Sequence, residues 1–141
     1  MKVRIINKSK NPLPQYEHIG DAGMDLRADL PGTDPVVCLH SGDTKVIGTG
    51  LFVELPEGYE FQIRSRSGLA ATTSVFILNS PGTIDENYRN EIKLIVHNCS
   101  KQPFIFKQGD RLAQVILKKC YEWEWEEVLK LSATNRNLNY F

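Results

Sequence analysis

The chain has no excess of charge of either sign: 17 lysines and arginines balance 17 aspartates and glutamates. It therefore lacks the basic field that holds nucleic acid non-specifically, and a polyanionic ligand would have to be held by a few placed cations. Cysteine is scarce. Cys38, Cys99 and Cys120 are far apart and odd in number, which fits free thiols in a reducing cytosol better than a disulfide framework. His18, His40 and His97 are equally scattered and make no zinc-type spacing with the cysteines. No run reaches the ~18 apolar residues of a membrane-spanning helix, and the N-terminus meets Lys8 before any apolar stretch of signal-peptide length. The expectation is a cytoplasmic protein with neither membrane nor nucleic acid among its partners. Sustained helical periodicity is missing too, since no segment keeps an amphipathic pattern for three turns.

What is present is a series of short β-branched bursts separated by turn residues, the mark of many short strands. Val3–Ile6, Val36–Leu39, Lys45–Leu55, Tyr59–Arg64, Ser74–Leu78, Ile92–Val96, Phe104–Lys107 and Leu112–Leu117 all read this way. Between them lie Pro-Gly and Gly-Asp segments such as Leu30-Pro31-Gly32, Ser80-Pro81-Gly82 and Gly109-Asp110, which carry turn chemistry. The best helix is one turn from Gly68 to Thr72. Tyr121-Glu122-Trp123-Glu124-Trp125-Glu126 alternates strictly and suits a strand with an aromatic and an acidic face. About eight strands in 141 residues imply one all-β domain, a sandwich, jelly roll or closed barrel.

Four segments place polar residues and glycine where a scaffold gains nothing from them. In Asp21-Ala22-Gly23-Met24-Asp25-Leu26-Arg27-Ala28, two carboxylates flank a glycine; a plain turn and a metal-facing turn both fit. In Arg64-Ser65-Arg66-Ser67-Gly68-Leu69-Ala70, two arginines at alternate positions precede Ser-Gly where a strand would give way to a helix. Guanidinium forks, a hydroxyl and backbone amides at a helix start are groups that hold phosphate oxygens. The stretch from Asn79 to Glu91 joins strands through a turn dense in polar groups. Asp85 and Tyr88, three residues apart, offer a base and an apolar plate, although a surface hairpin of no consequence explains them as well. Gly109-Asp110-Arg111-Leu112-Ala113-Gln114 turns into a strand on which Gln114 carries a neutral amide able to bridge a ligand or a water.

In this order and spacing the four segments resemble the motifs of the trimeric dUTPase family, and the resemblance runs over nearly the whole chain. The motifs stand here as Ala22-Gly23-Met24-Asp25-Leu26, Arg66-Ser67-Gly68-Leu69-Ala70, Gly82-Thr83-Ile84-Asp85-Glu86-Asn87-Tyr88-Arg89 and Gly109-Asp110-Arg111-Leu112-Ala113-Gln114. Met24 replaces the family's usual Tyr, Asn87 its Asp and Asn90 a common Gly. The fifth motif departs further: Arg136-Asn137-Leu138-Asn139-Tyr140-Phe141 keeps only its arginine and phenylalanine.

The resemblance implies a jelly-roll-like β-fold with one short helix. The domain would span 1–134, and 135–141 would start a flexible lid that continues into a Gly-Ser-rich extension past Phe141. It implies hydrolysis of dUTP to dUMP and pyrophosphate, which keeps uracil out of DNA and supplies dUMP for thymidylate synthesis. Asp85 would activate water at the α-phosphorus. Arg66, Ser67 and Gly68 would hold the phosphates, with Gln114 as a further contact. Mg2+ would sit mainly on the phosphates and reach Asp25 through water. Uracil would be read by the main chain around Thr83, Ile84 and Lys93 with Asn79 nearby, while Tyr88 lies under the deoxyribose. Phe141 would stack on the base and Arg136 reach the phosphates. The family is a homotrimer with sites shared between subunits, and the Tyr121-Trp123-Trp125 stripe offers apolar area for such an interface or for the core of one chain. Two other readings stay open: a dCTP deaminase, whose glutamate and serine–arginine arrangement is not found here, and a dUTPase-like regulator without turnover, favoured only by the eroded fifth motif.

Overall fold

The computed structural model describes residues 1–33 and 35–134. Eleven strands and one helix make up the described chain. Four antiparallel sheets form a jelly-roll-like β-fold. β1 (Arg4–Asn7) pairs with β5 (Leu51–Glu54), and β3 (Val36–Leu39) with β10 (Phe104–Lys107). β4 (Thr44–Gly48), β9 (Lys93–Asn98) and β7 (Val75–Ile77) make a three-stranded sheet. β2 (Met24–Arg27), β11 (Arg111–Lys119), β6 (Tyr59–Ser65) and β8 (Gly82–Ile84) make a four-stranded one, in that order.

Period-two alternation explains which side chains go inside. In β9, Leu94, Val96 and Asn98 are buried while Lys93 faces solvent; in β5, Leu51 and Val53 are buried. Leu51, Val53, Leu94 and Val96 join Leu26, Leu39, Ile63, Val75, Ile77, Phe106, Leu112 and Val115 in one apolar core. Each such side chain contributes about 1.5–3 kcal/mol by leaving water. The fully buried amide of Asn98 is satisfied: it donates to the carbonyls of Leu39 and Gln102, each at 2.8 Å, and accepts the Ser100 N–H at 2.9 Å. Among the described residues no buried side-chain polar atom lacks a partner, as a stable core requires.

The helix α1 (Ser67–Thr73) follows β6 directly. Arg66 is its N-cap in an extended conformation, with no side-chain cap on the first amides. It ends where two β-branched threonines turn their hydroxyls back onto the carbonyls of Gly68 and Leu69, and Ser74 takes a left-handed conformation at φ 57°.

Four differences from the sequence reading have physical causes. Lys45–Leu55 is two strands, because the chain turns out of the β4–β9 ladder at Thr49-Gly50 and β5 pairs with β1 instead. Gly50 has φ 66°, and a Cβ there would lie 2.6 Å from that of Ser9, so only glycine makes the turn. Met24–Arg27 and Gly82–Ile84 are strands where motif-bearing turns were read. Tyr121–Glu126 is not in a strand: alternation needs a neighbouring strand to pair with, and the residues after β11 have none within the described chain.

Candidate functional site

Strand register brings three of the four motifs to one end of the four-stranded sheet. Gln114 on β11 stands opposite Asp25 of β2 on one side and Arg64 of β6 on the other. β6 then runs out into Arg66 and the start of α1. Because β6, β11 and β2 are adjacent, the Arg66 side chain reaches back across the sheet. Its Nε donates to Asp25 Oδ1 at 2.8 Å and its Nη1 to the Arg111 carbonyl at 3.2 Å. Arg111 closes the group, with Nη1 3.2 Å from Asp25 Oδ2. Asp25 is thus clamped between two guanidiniums at 29% side-chain exposure, where screening by solvent is incomplete. A guanidinium has five N–H donors, so Arg66 keeps three beyond the two used in these contacts.

Gln114 donates through Nε2 to the Ser65 carbonyl at 3.1 Å. Gly23 makes room for it: a Cβ there would lie 2.8 Å from Gln114 Oε1 and 3.3 Å from the Val115 carbonyl. Ser67 and Gly68 are exposed beside this cluster, and the space next to Gly68 is open. A cavity of about 240 Å³ adjoins it, lined by Gln15, Glu17, Asp21, Gly23, Asp25 and Gln114 among others. Among the described residues no three acidic, histidine or cysteine side chains are grouped to hold a metal ion. One clamped carboxylate beside open space is a donor set suited to a hard ion that keeps most of its waters and is carried by a ligand's phosphates.

The third motif is divided. Ser80 Oγ accepts the Ser65 N–H at 3.2 Å, so the turn holding Asn79 lies at the Arg66 end of the sheet. Asn79 packs against Gly82, where a Cβ would come within 2.8 Å of its Nδ2. From there β8 runs away antiparallel to β6, with Gly82 opposite Ile63, Thr83 opposite Gln62 and Ile84 opposite Phe61. Asp85 follows at the level of Glu60, six strand residues from Arg66, or about 20 Å at ~3.3 Å per residue. Asp85 is exposed, Ile84 buried, and Tyr88 half-buried against the core. Lys93 is exposed at the start of β9. Cys120, just past β11, marks the same end: partial burial and then the carboxylates of Glu60, Glu86, Asp85 and Glu122 hold its thiol above the usual range. All three cysteines are free. Within one chain, then, Asp25, Arg66, Ser67, Gly68, Asn79 and Gln114 share one end of the sheet, and Asp85 and Tyr88 occupy the other. Arg136 and Phe141 lie outside the described residues.

Sequence reasoning missed three participants. Arg111 stood in the fourth motif without a role; it lies opposite Arg27, two residues from Asp25 on β2 and across a break in the register, and the Arg-Leu-Ala-Gln spacing was the available signal. Glu86 within the Asp85–Tyr88 turn and Glu91 three residues beyond it anchor that turn to neighbouring backbone amides, a role that no local pattern announces.

A family model described as dUTPase matches residues 9–141. The chain is 47% identical to the deoxyuridine 5'-triphosphate nucleotidohydrolase of Finegoldia magna over 137 residues, covering 97% of this chain and 94% of the relative. It is 44% identical to the protein of the same name from Caldanaerobacter subterraneus, covering 96% and 90%. Among solved structures, the dUTPase of phage phi11 of S. aureus superposes with a TM-score of 0.82 at 22% identity, covering 94% of this chain and all of the other. That of Staphylococcus bacteriophage 80alpha, holding dUpNHpp, does so at 0.81 and 24%, covering 99% and 96%. At such identity the structural likeness speaks for the fold, which is the same. The family match and the near full-length relatives go further: the chain belongs to the dUTPase family.

Proposed function

We propose that the protein is a dUTP diphosphatase that hydrolyses dUTP to dUMP and pyrophosphate in the cytosol. The observation that carries this reading is the convergence of the first, second and fourth motifs into one ion-paired cluster with free guanidinium donors beside an open cavity. That is the equipment a triphosphate requires, in a protein whose relatives are named for this activity.

Arg66 would bind phosphate oxygens with the N–H groups it does not spend on Asp25, and the Asp25 clamp would keep that guanidinium aimed before substrate arrives. Such pre-set positive charge is worth most where charge develops in the transition state. Ser67 and Gly68 would add a hydroxyl and close-approaching amides, and Gln114 a neutral contact held in place by Ser65. Asp85 would orient a water at the α-phosphorus and take its proton, a role that typically contributes ~10²–10⁴ in rate. Mg2+, when bound, would neutralise charge on the phosphates, with Asp25 reaching it through water; the phi11 enzyme coordinates a structural Mg(II) ion.

Thr83, Ile84 and Lys93 would read uracil through their main chain, with Asn79 at the rim. A hydrogen-bonding slot rejects a base lacking the right partners more sharply than an apolar pocket rejects a methyl, which is worth only ~1–3 kcal/mol. Tyr88 would floor the deoxyribose and exclude a 2′-hydroxyl. Arg136 and Phe141 would complete the site from a lid over 135–141.

The working unit would be a homotrimer with sites shared between subunits. The ~20 Å separation of Asp85 from Arg66 in one chain supports this, because a single α-phosphorus cannot meet both unless the second group comes from another copy. The stripe after β11 supports it as well. Trp123 and Trp125 are 74% and 90% exposed and are covered by no core among the described residues. An apolar groove of about 310 Å³, lined by Val3, Ile5, Leu13, Tyr16, Phe61 and Leu117 among others, offers what such rings would cover in a neighbour.

The test is pyrophosphate release from dUTP with magnesium, using dTTP, UTP and dCTP as controls. Turnover of dUTP at least a hundredfold above the others is expected. Ammonia from dCTP, or tight dUTP binding with no turnover, would overturn the reading.

A further inference from the structure

The Asp85–Tyr88 turn is closed by the Tyr88 N–H donating to the Asp85 carbonyl at 3.1 Å; the Tyr88 ring packs on the core, and a pair of glutamates ties the turn to neighbouring backbone amides. Glu86 Oε2 accepts the Gly58 N–H at 2.6 Å, on the turn before β6. Glu91 does more. Its Oε1 accepts two amides of the β4–β5 turn, Thr49 N–H at 3.1 Å and Gly50 N–H at 2.9 Å, and Lys93 Nζ lies 3.9 Å from its Oε2. Thr49 is itself 1% exposed, and its hydroxyl donates to the Ile92 carbonyl at 2.7 Å. The Ile92 N–H in turn donates to Leu51 at 2.9 Å. Residues 91 and 92 are thereby stitched to one of the least accessible turns in the fold. From the same Glu91 the backbone carbonyl faces the other way and accepts the Tyr88 hydroxyl at 2.9 Å.

We propose that Glu91 is a positioning residue for sugar selection: its carboxylate, locked on the Thr49 and Gly50 amides, fixes the carbonyl from which the Tyr88 phenol hangs, and so sets the height of the ring. This rests on the reading of Tyr88 as the floor under the deoxyribose. An ionised acceptor makes bonds roughly twice as strong as a neutral one, and a carboxylate 25% exposed keeps much of that advantage. Removing it leaves two amides without their acceptor and frees the ring to drop by the fraction of an ångström that a 2′-hydroxyl needs. Gly48 gives independent access to the same device. A Cβ there would lie 2.6 Å from Glu91 Oε1, so Gly48→Ala pushes the flexible carboxylate off its amides without deleting it.

The experiment measures kcat/KM for dUTP and UTP on the full chain as wild type, Glu91→Ala, Glu91→Gln, Gly48→Ala, Tyr88→Phe and Tyr88→Ala, with Tm recorded for each. Glu91→Ala should raise the UTP-to-dUTP ratio roughly tenfold, within the range of one lost discriminating contact. Tyr88→Phe, which keeps the ring and loses the tether, should raise it similarly, and Gly48→Ala in the same direction. Glu91→Gln, whose amide oxygen still accepts both N–H groups, should stay within about threefold of wild type. An unchanged ratio in Glu91→Ala and Gly48→Ala, with a lowered Tm, makes Glu91 a fold residue only and overturns the proposal. Should Glu91→Ala not fold, Gly48→Ala and Tyr88→Phe decide by the same ratio. Tyr88→Ala separates the two layers: if it leaves the ratio unchanged, the reading of Tyr88 fails, and if it alone shifts the ratio, only the role of Glu91 does.

Discussion

The two ends of the four-stranded sheet are built on opposite plans. At the Asp25 end one carboxylate is shared by two guanidiniums within a single chain, leaving positive charge over, and their positions follow from strands paired over several residues. At the Asp85 end the carboxylate is exposed, is paired with no cation among the described residues, and sits on a turn that Glu86 and Glu91 tie to neighbouring backbone amides. The first arrangement suits groups that must hold an anion in a fixed place before it arrives. The second suits a group whose charge must stay available to a water. What differs is which charges are already compensated, and that separates a binding half-site from a reacting one.

The comparison is broken most strongly at Asp85. Asp85→Asn should slow turnover by ~10²–10⁴ while dUTP affinity, measured by calorimetry, stays within a few-fold. Turnover near wild type with binding intact would remove Asp85 from the reaction. Mixing this variant with Arg66→Ala by co-refolding sharpens the point. If each site joins the Asp85 end of one copy to the Arg66 end of another, random assembly restores about a quarter of wild-type activity from two inactive proteins. No recovery would mean that both ends serve one site within each chain.

Asp25→Asn strikes the other end. It leaves Arg66 and Arg111 facing each other across a neutral amide, and should lower stability by about 1–3 kcal/mol in chemical denaturation and raise KM more than it lowers kcat. A variant of unchanged stability would show that the clamp is dispensable. Gly23→Ala is subtler. Its methyl would crowd Gln114, and kcat/KM should fall roughly tenfold through misplacement alone, with Tm nearly unchanged. The smallest effect concerns Cys120. With its thiol held high by partial burial and by neighbouring carboxylates that include Asp85, less thiolate is present near neutral pH. Alkylation should therefore be several-fold slower than at the exposed Cys99, rising as the pH climbs. Asp85→Asn removes one of the charges that hold the proton on and should speed it slightly; an unchanged rate would show that Asp85 has no hold on this thiol.

How far the sequence reached follows the same division. Val36–Leu39 and Phe104–Lys107 were legible residue for residue, because an apolar burst between turn signals has few other outcomes. Met24–Arg27 was not, although Leu26 goes to the core and Asp25 to the site in plain alternation; two charges in four residues mask a strand that exposes one face to a ligand. Asp25, Arg66 and Gln114 were nameable as separate motif residues, yet their contact depends on the register of β2 with β11 and of β11 with β6, which no local pattern encodes. Glu86 and Glu91 were invisible for a related reason, since their partners are main-chain amides 28 and 41 or 42 residues away. The Trp123–Trp125 alternation was legible as a pattern but not as a place, because no strand among the described residues pairs with it.

β11 runs the length of the four-stranded sheet between its two ends. Its first half pairs with β2 and carries Arg111 and Gln114, and its far end lies against Tyr59 and passes into Cys120 near Asp85. It therefore acts as a ruler between the half-sites, and this constrains how the gene can vary. A residue inserted within β11 would shift one half-site by ~3.3 Å relative to the other and turn every side chain beyond it to the opposite face. The turns at 31–33 and 40–43 carry no such register. Length variation among descendants of this gene should accumulate in those turns and be purged from Arg111–Lys119, even at positions where the side chain itself is free to change.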